Sequence, residues 1–356
     1  MKKINIVIPT YNRPFYLKRI LEYYRSDKEK YQFIIADSSD KKRLDENKKI
    51  IKTFSDYDIL YPKNYPSDMN MFFKLADALH YATFDYTIIC ADDDFITSKG
   101  INDSIDFLEK NKDYSCAHGQ YISFYTKKDQ KGLKQFYWQP SYISDSIESD
   151  KPEDRLYTHM SEYKVATFYA AHKTKDLQML FDETIKYTDT EDDGQFGEIL
   201  PSMLTLIHGK MKRLNSLYCA RESIPTSAGR TSKKFSDFVS EGTYNSKYRR
   251  FKTCLLNHLT QISEIEQKKA SKIIDKAWQE YTKNYHGFIT PKISHMINKM
   301  PISKNLNTNL RQTYRKIFRR NITKNINSGG STKNPTEDYL DEFNKIKKYA
   351  LQINEN

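Results

Sequence analysis

The sequence predicts an α/β fold: a Rossmann-like, mainly parallel central sheet flanked by helices, with a C-terminal α-helical extension. Three observations predict it. Short apolar runs alternate with stretches of helical periodicity through the first hundred residues, the pattern of βαβ units. Several of those runs end in polar or acidic residues, as strands do at the edge of an open sheet where ligands bind. Beyond residue 233 the apolar spacing becomes helical throughout and Lys and Arg accumulate.

Residues 4–8 read as a buried strand closed by Pro9 and Thr10. Pro14 suits the first turn of a helix, where its missing N–H costs nothing, and Leu17, Ile20, Leu21 and Tyr24 make one apolar stripe. Residues 33–36 form the second strand and end in Asp37; residues 59–61 form the third, followed by a loop over 62–68. Phe72, Leu75, Ala76 and Leu79 mark a further helix, and the strand at 86–90 runs into Ala91, Asp92, Asp93 and Asp94. From 113 to 169 aromatic and polar residues alternate between Gly and Pro, so strands and long loops are expected. Phe196, Ile199, Leu200, Met203, Leu204 and Ile207 keep helical spacing, yet Pro201 predicts a kink or a fresh helix start.

Residues 223–236 are rich in Ser, Thr, Gly and Lys, which marks a loop and sets the division between a domain over 1–232 and a basic helical region over 233–356. In the second part Phe251, Leu255, Leu259 and Ile262 form one stripe and Ile274, Trp278 and Tyr281 another. Residues 292–324 are strongly basic, residues 328–335 read as a linker, and Thr336 is placed to cap a last helix presenting Tyr339, Phe343, Ile346 and Ala350.

With 356 residues, 38% of them hydrophobic, the chain has material for one large domain and an appendage. Its net charge of +12 favours an anionic partner without choosing among nucleotide phosphates, nucleic acid and a membrane face. Four scattered cysteines without a CxxC pair read as free thiols. The apolar run after Lys2 and Lys3 is interrupted by Asn5 and ended by Pro9, too short for a signal segment, and no stretch approaches a membrane span, so a cytoplasmic protein is expected.

In an open parallel sheet the residues just past the strand ends face the ligand. Thr10, Tyr11 and Asn12 follow the first strand, Asp37, Ser38 and Ser39 the second, and the acidic triplet the fourth. Three adjacent carboxylates repel one another and need compensation; a hard cation such as Mg²⁺ or Mn²⁺, which also bridges to a diphosphate, supplies it. A single Asp after a strand is otherwise a common turn or cap residue.

Taken in order, IVIPTYNRPFYLKRIL, IIADSSD, FFKLADALHYATFDYTIICADDDF and TEDDGQFGEIL resemble the bacterial family 2-like inverting glycosyltransferases of GT-A fold, over about the first 220 residues. The resemblance implies a donor pocket in which Pro9, Thr10, Tyr11, Asn12 and Arg13 line the nucleotide sugar and Asp37 accepts a hydrogen bond from the base. Ala36 and Ser38 depart from the family's DDGS-like segment. It implies a DxD-type site at Asp92, Asp93 and Asp94, with one of the three reaching the ribose or sugar and another, Asp93 and Asp94 being the candidates, holding a metal (Mn²⁺ or Mg²⁺), and Lys74 facing the phosphates. It implies Asp192 as general base, with Glu191 and Asp193 as rivals. The implied partners are a UDP-linked sugar and a glycan or lipid-linked acceptor, with a homo-oligomer allowed and no nucleic acid.

Other features are weighed below these. His118, His172 and His208 are either further metal ligands or structural histidines. Arg221, Arg230, Lys233 and Lys234 either close over a diphosphate from a loop or are simply solvated. Tyr137 and Trp138 either stack on an acceptor sugar or belong to the core. The amphipathic stretch with Met296, Ile297, Met300, Ile317 and Phe318 either lies on an anionic membrane or packs as a helical module. Two rival functions remain: a sugar-phosphate nucleotidyltransferase, disfavoured because no Gly lies between Thr10 and Pro14, and a nucleic-acid-binding protein, which leaves the acidic triplet unexplained.

Overall fold

A computed structural model describes residues 3–27, 29–189, 194–224, 232–286, 331, 335 and 339–352. Strands β1 (Ile4–Thr10), β2 (Tyr31–Asp37), β3 (Asp58–Leu60) and β4 (Tyr86–Ile89) are joined by helices α1 (Pro14–Arg25), α2 (Lys41–Lys52) and α3 (Met71–Leu79). They pair in parallel in the order β3-β2-β1-β4. β1 and β2 are buried along almost their whole length because helices cover both faces, which is why their sequences are continuous apolar runs. Asn5, the polar interruption, is satisfied inside: its Nδ2 donates to the Phe84 and Tyr86 carbonyls at 3.0 Å, and its Oδ1 accepts from the Thr83 and Phe84 amides.

Past β4 the pattern departs from a parallel sheet. A two-residue strand β5 (Phe95–Ile96), helix α4 (Ser98–Lys110), the hairpin β6 (Tyr114–Lys128) and β7 (Lys134–Ser141), helix α5 (Pro152–Glu162) and the short β8 (Ala171–Lys173) follow. Helices α6 (Thr174–Tyr187) and α7 (Gly194–His208) precede a long strand β9 (Lys210–Glu222). β8 is antiparallel to both β4 and β6, β9 runs parallel to β6, and β5 lies antiparallel at its far edge. The sheet is therefore mixed, parallel in its first half and largely antiparallel in its second. α7 continues through Pro201 instead of restarting there. The hydrogen bond that proline forgoes falls on the Gly197 carbonyl, and Gly197 has no Cβ because the ring of Phe72 packs where one would stand, 2.5 Å away.

The later helices α8 (Phe235–Ser240), α9 (Tyr244–Ile262), α10 (Gln267–His286) and α11 (Leu340–Ala350) are built into the same two apolar clusters as the sheet. Phe251, Leu255, Leu259, Ile274, Trp278 and Tyr281 join the cluster on one face with α3, α6 and α7. Phe343, Ile346, Tyr349 and Ala350 join the other, where Phe343 meets the rings of Phe136 and Trp138. Trp138 is thus a core residue, and Tyr137 stacks on Tyr125 at 5.0 Å. Residues 292–324 and Thr336, assigned above to a basic amphipathic stretch and a helix cap, lie outside the described residues. No helix among the described residues is long and apolar enough to cross a membrane.

Candidate functional site

The parallel register sets Thr10 beside Asp37, so the turns after β1 and β2 are neighbours. Asn12 adopts a left-handed backbone, φ 57°, which Asn tolerates better than most side chains. Both of its polar ends are used: the N–H donates to Ser39 Oγ at 2.8 Å, and Oδ1 accepts the Asp40 N–H at 2.9 Å. The two turns are thereby tied together. Pro9 sits opposite Ala36, and Tyr11 stands half exposed at the rim.

Lys74, on the buried face of α3, reaches under these turns and donates to the Thr10 carbonyl (3.2 Å) and Ser38 Oγ (2.8 Å). Burial outweighs the attraction of Asp92 and Asp37 and lowers its pKa to about 8. Asp37 is fully buried. Its carboxylate accepts from the Ser39 N–H (2.8 Å), Asn47 Nδ2 (2.8 Å) and Tyr61 Oη (3.0 Å), so protein donors occupy the place that the resemblance gave to a base.

The chain leaving β4 turns tightly, with the Asp94 N–H on the Ala91 carbonyl at 3.1 Å, and this turn presents the acidic triplet. Thr10 Oγ1 donates to Asp92 Oδ2 at 2.7 Å. Arg13, the residue before α1, places one guanidinium nitrogen 3.0 Å from both Asp92 Oδ1 and Asp93 Oδ2. Asp94 faces the other way: Arg221 Nε donates to its Oδ2 at 3.0 Å and the Glu222 N–H to its Oδ1 at 3.1 Å. Burial, helped by the neighbouring Asp93 charge and opposed by Arg13, pushes Asp92 up to about 6. Burial likewise pushes Asp94 up to about 7 against the pull of Arg221.

The compensation that the sequence assigned to a cation is thus supplied in large part by arginines. Oδ1 of Asp93 accepts no hydrogen bond among the described residues, and it is the open oxygen of the turn. No group of three or more His, Cys, Asp or Glu among the described residues is arranged to hold a metal ion. His118, His172 and His208 do not hydrogen-bond to the acidic turn. They contact the Gly119 carbonyl, the Thr167 carbonyl and His258. Glu191, Asp192, Asp193 and Arg230 lie outside the described residues.

Two site residues escaped the sequence reading. Arg19, buried on α1, donates to the Asp93 carbonyl (3.1 Å) and to Glu222 Oε2 (2.7 Å) and lies over the rings of Tyr16 and Phe95. Glu222 bridges the end of β9 to α1, and burial raises its pKa despite Arg19. Periodicity marks neither, although Arg19 stands next to Ile20 and Leu21 of the apolar stripe of α1. Arg221, read as part of a loop, belongs to β9, and its guanidinium packs over Tyr142 (5.1 Å) and Tyr169 (4.9 Å). A strand-end cluster of carboxylates threaded with arginines can hold a phosphorylated, hydroxyl-rich ligand.

Residues 5–161 match the sequence profile described as Glycosyl transferase family 2. This segment is a family 2 glycosyltransferase domain. The match takes in β1, β2, the acidic turn and the hairpin, and the enzyme class of the chain is glycosyl transfer. No curated protein matches the chain by sequence. Among solved structures, S. aureus TarS 1-349 is similar at a TM-score of 0.51 and 12% identity, covering 80% of this chain and 73% of that one. TarS 1-349 in complex with UDP-GlcNAc gives 0.52 at 13%, covering 82% and 77%. A longer TarS chain gives 0.50 at 13%, and this protein spans 44% of its length. At this identity the likeness shows the fold, which is of GT-A type with helices behind the domain.

Proposed function

We propose that the protein is an inverting transferase that moves a sugar from a nucleoside-diphosphate donor, UDP-linked, to a hydroxyl of a glycan or lipid-linked acceptor. The observation that carries this reading is the convergence of Thr10, Arg13, Asp92 and Asp93, held by bonds of 2.7 to 3.0 Å at the ends of β1 and β4. Arg13 and Lys74 bring positive charge to the edge where a diphosphate docks, and Asp92 faces a ribose or sugar hydroxyl. Asp37 acts at one remove, by fixing Tyr61 and the Ser38–Ser39 turn beside the base. That TarS 1-349 was crystallised with UDP-GlcNAc supports a UDP-linked donor.

Mn²⁺ or Mg²⁺ fits at Asp93. Such an ion completes its shell with substrate phosphates and water, so one carboxylate with an open oxygen suffices where a three-ligand cluster is lacking. Bound there, it would neutralise charge on the departing diphosphate. Asp94, with both oxygens taken, serves instead to anchor β9. In this reading Asp192 takes the proton from the acceptor hydroxyl as that oxygen attacks the anomeric carbon, with Glu191 and Asp193 flanking it, while the diphosphate leaves on the opposite face. The helices beyond residue 233 would serve acceptor delivery, a membrane surface or self-association.

Isothermal titration with UDP, GDP, CDP and dTDP, with and without Mn²⁺, tests the reading. UDP is expected to bind, more tightly with the metal. If none of the four binds, the proposal fails.

A further inference from the structure

A second polar cluster lies within reach of the charge of Arg221, the same arginine that pairs with Asp94 of the acidic turn. Glu198 sits on α7, and its carboxylate Oε1 lies 3.4 Å from Tyr163 Oη, which also lies 3.4 Å from Ser202 Oγ. The residue is partly open to solvent, yet burial raises the carboxyl pKa, with Arg221 and Lys234 opposing that rise. Glu198 is therefore a partly exposed carboxyl with a phenol and a hydroxyl beside it. Two further tyrosine rings lie against the neighbouring Arg221. Tyr169 packs against Arg221 and feels the charges of Asp94, Glu198 and Asp93, and the Tyr142 ring also lies against that guanidinium. Tyr142 and Tyr163 both hold left-handed backbones, φ 49° and 25°, which a tyrosine adopts only where its surroundings fix it. Tyr163 is held in part by an edge-on contact with Tyr281 of α10, 5.7 Å between ring centres.

The chemistry of this cluster differs from that of the donor side. A carboxylate repels a diphosphate, whereas a carboxylate and a phenol amid aromatic faces suit a sugar, whose hydroxyls hydrogen-bond and whose C–H faces lie against rings. We infer that Glu198 and Tyr163 bind the acceptor sugar, with Glu198 accepting a hydrogen bond from an acceptor hydroxyl and Tyr142 and Tyr169 walling the subsite. The assignment rests on the glycosyl-transfer reading and adds an acceptor subsite to it. It also gives α10 a function: through Tyr281 it sets the position of Tyr163.

The test uses the full chain. Saturation-transfer NMR is run on UDP-loaded protein with a panel of methyl glycosides of the common hexoses and N-acetylhexosamines, for wild type, E198A, E198Q and Y163F, with UDP affinity measured in parallel. Wild type is expected to show a glycoside signal, E198A to weaken glycoside binding by at least about tenfold, and E198Q and Y163F to weaken it less. UDP affinity should stay within about twofold in all three variants, a separation that a general loss of structure would not give. If E198A does not fold, E198Q decides. Failure of the wild type to bind UDP would sink the glycosyl-transfer reading itself. Wild type that binds UDP but no glycoside, or variants that keep the full glycoside signal, overturns the acceptor assignment.

Discussion

Arg221 donates through Nε to Asp94 Oδ2 at 3.0 Å, and this contact joins the last strand of the sheet to the acidic turn after β4. The carboxylate is almost wholly buried while the arginine is about a quarter exposed, at 27%. Breaking such a pair from one side leaves an uncompensated buried charge, whereas replacing both partners by neutral groups does not. Arg221→Ala should therefore destabilise the fold by roughly 2–4 kcal/mol, less than a fully buried pair because water reaches the arginine. Adding Asp94→Asn should recover part of that loss. Urea unfolding of the two single variants and the double variant checks this, and strictly additive losses would show that the pair is not coupled.

Gly100 fixes the distance between α4 and β9. A Cβ there would stand 2.7 Å from the Leu217 carbonyl oxygen and 2.7 Å from Tyr218 Cα, backbone atoms that cannot swing aside. Gly100→Ala should cost about 1–3 kcal/mol by forcing the helix off the strand. Gly132, whose Cβ would meet nothing but whose φ is +78°, offers a contrast at an exposed turn, where strain alone opposes Ala. Denaturant midpoints of the two variants should rank Gly100→Ala as the more damaging.

Burial pushes His118 and His172 down to about 4 from an ordinary 6.5. A histidine whose folded pKa is depressed stays neutral in the fold while the unfolded chain takes up a proton below 6.5. The stability each contributes is complete above that pH and is lost as pH falls toward 4. Asp92 and Asp94, raised by burial, act in the opposite sense, so the comparison must be differential. His172→Asn should flatten the fall in unfolding free energy between about pH 6.5 and 4.5 by up to about 1.4 kcal/mol per pH unit. Urea unfolding at those two pH values measures it; parallel profiles for the two proteins would mean that His172 takes up its proton over the same pH range in the fold as in the unfolded chain.

Where the physics is local, the sequence was readable. The apolar runs ending in Thr10 and Asp37 became β1 and β2 with those residues side by side, since a strand buried on both faces has no other composition available. The antiparallel half was not readable to the same degree, because the pairing of β6 with β9 joins residues about a hundred positions apart and leaves no periodicity to detect. The same blindness hid the site's counterions. Nothing near Asp94 in the chain announces Arg221, and nothing near Asp93 announces Arg19, so the need for positive charge was legible but its source was not. Pro201 left a kink and a fresh start both open for a related reason: whether a helix runs on through a proline depends on packing that the sequence does not show, and α7 runs unbroken from Gly194 to His208.

Asp93 and Asp192 should separate binding from chemistry. Asp93 is tied to Arg13 by one oxygen and leaves the other open, so Asp93→Ala removes the group through which a divalent ion would attach. It also releases Arg13 from one of the two carboxylates it holds among the described residues. UDP affinity in the presence of Mn²⁺ should fall by at least about tenfold, with a smaller change in the presence of EDTA. Asp192→Asn keeps size and polarity but cannot accept the acceptor's proton, so UDP affinity should stay within about twofold while turnover falls by about a hundredfold or more. Calorimetric titration and sugar-transfer rates on both variants give the four values needed. Equal loss of binding in both would place Asp192 on the donor side, and full turnover in Asp192→Asn would move the base to Glu191 or Asp193.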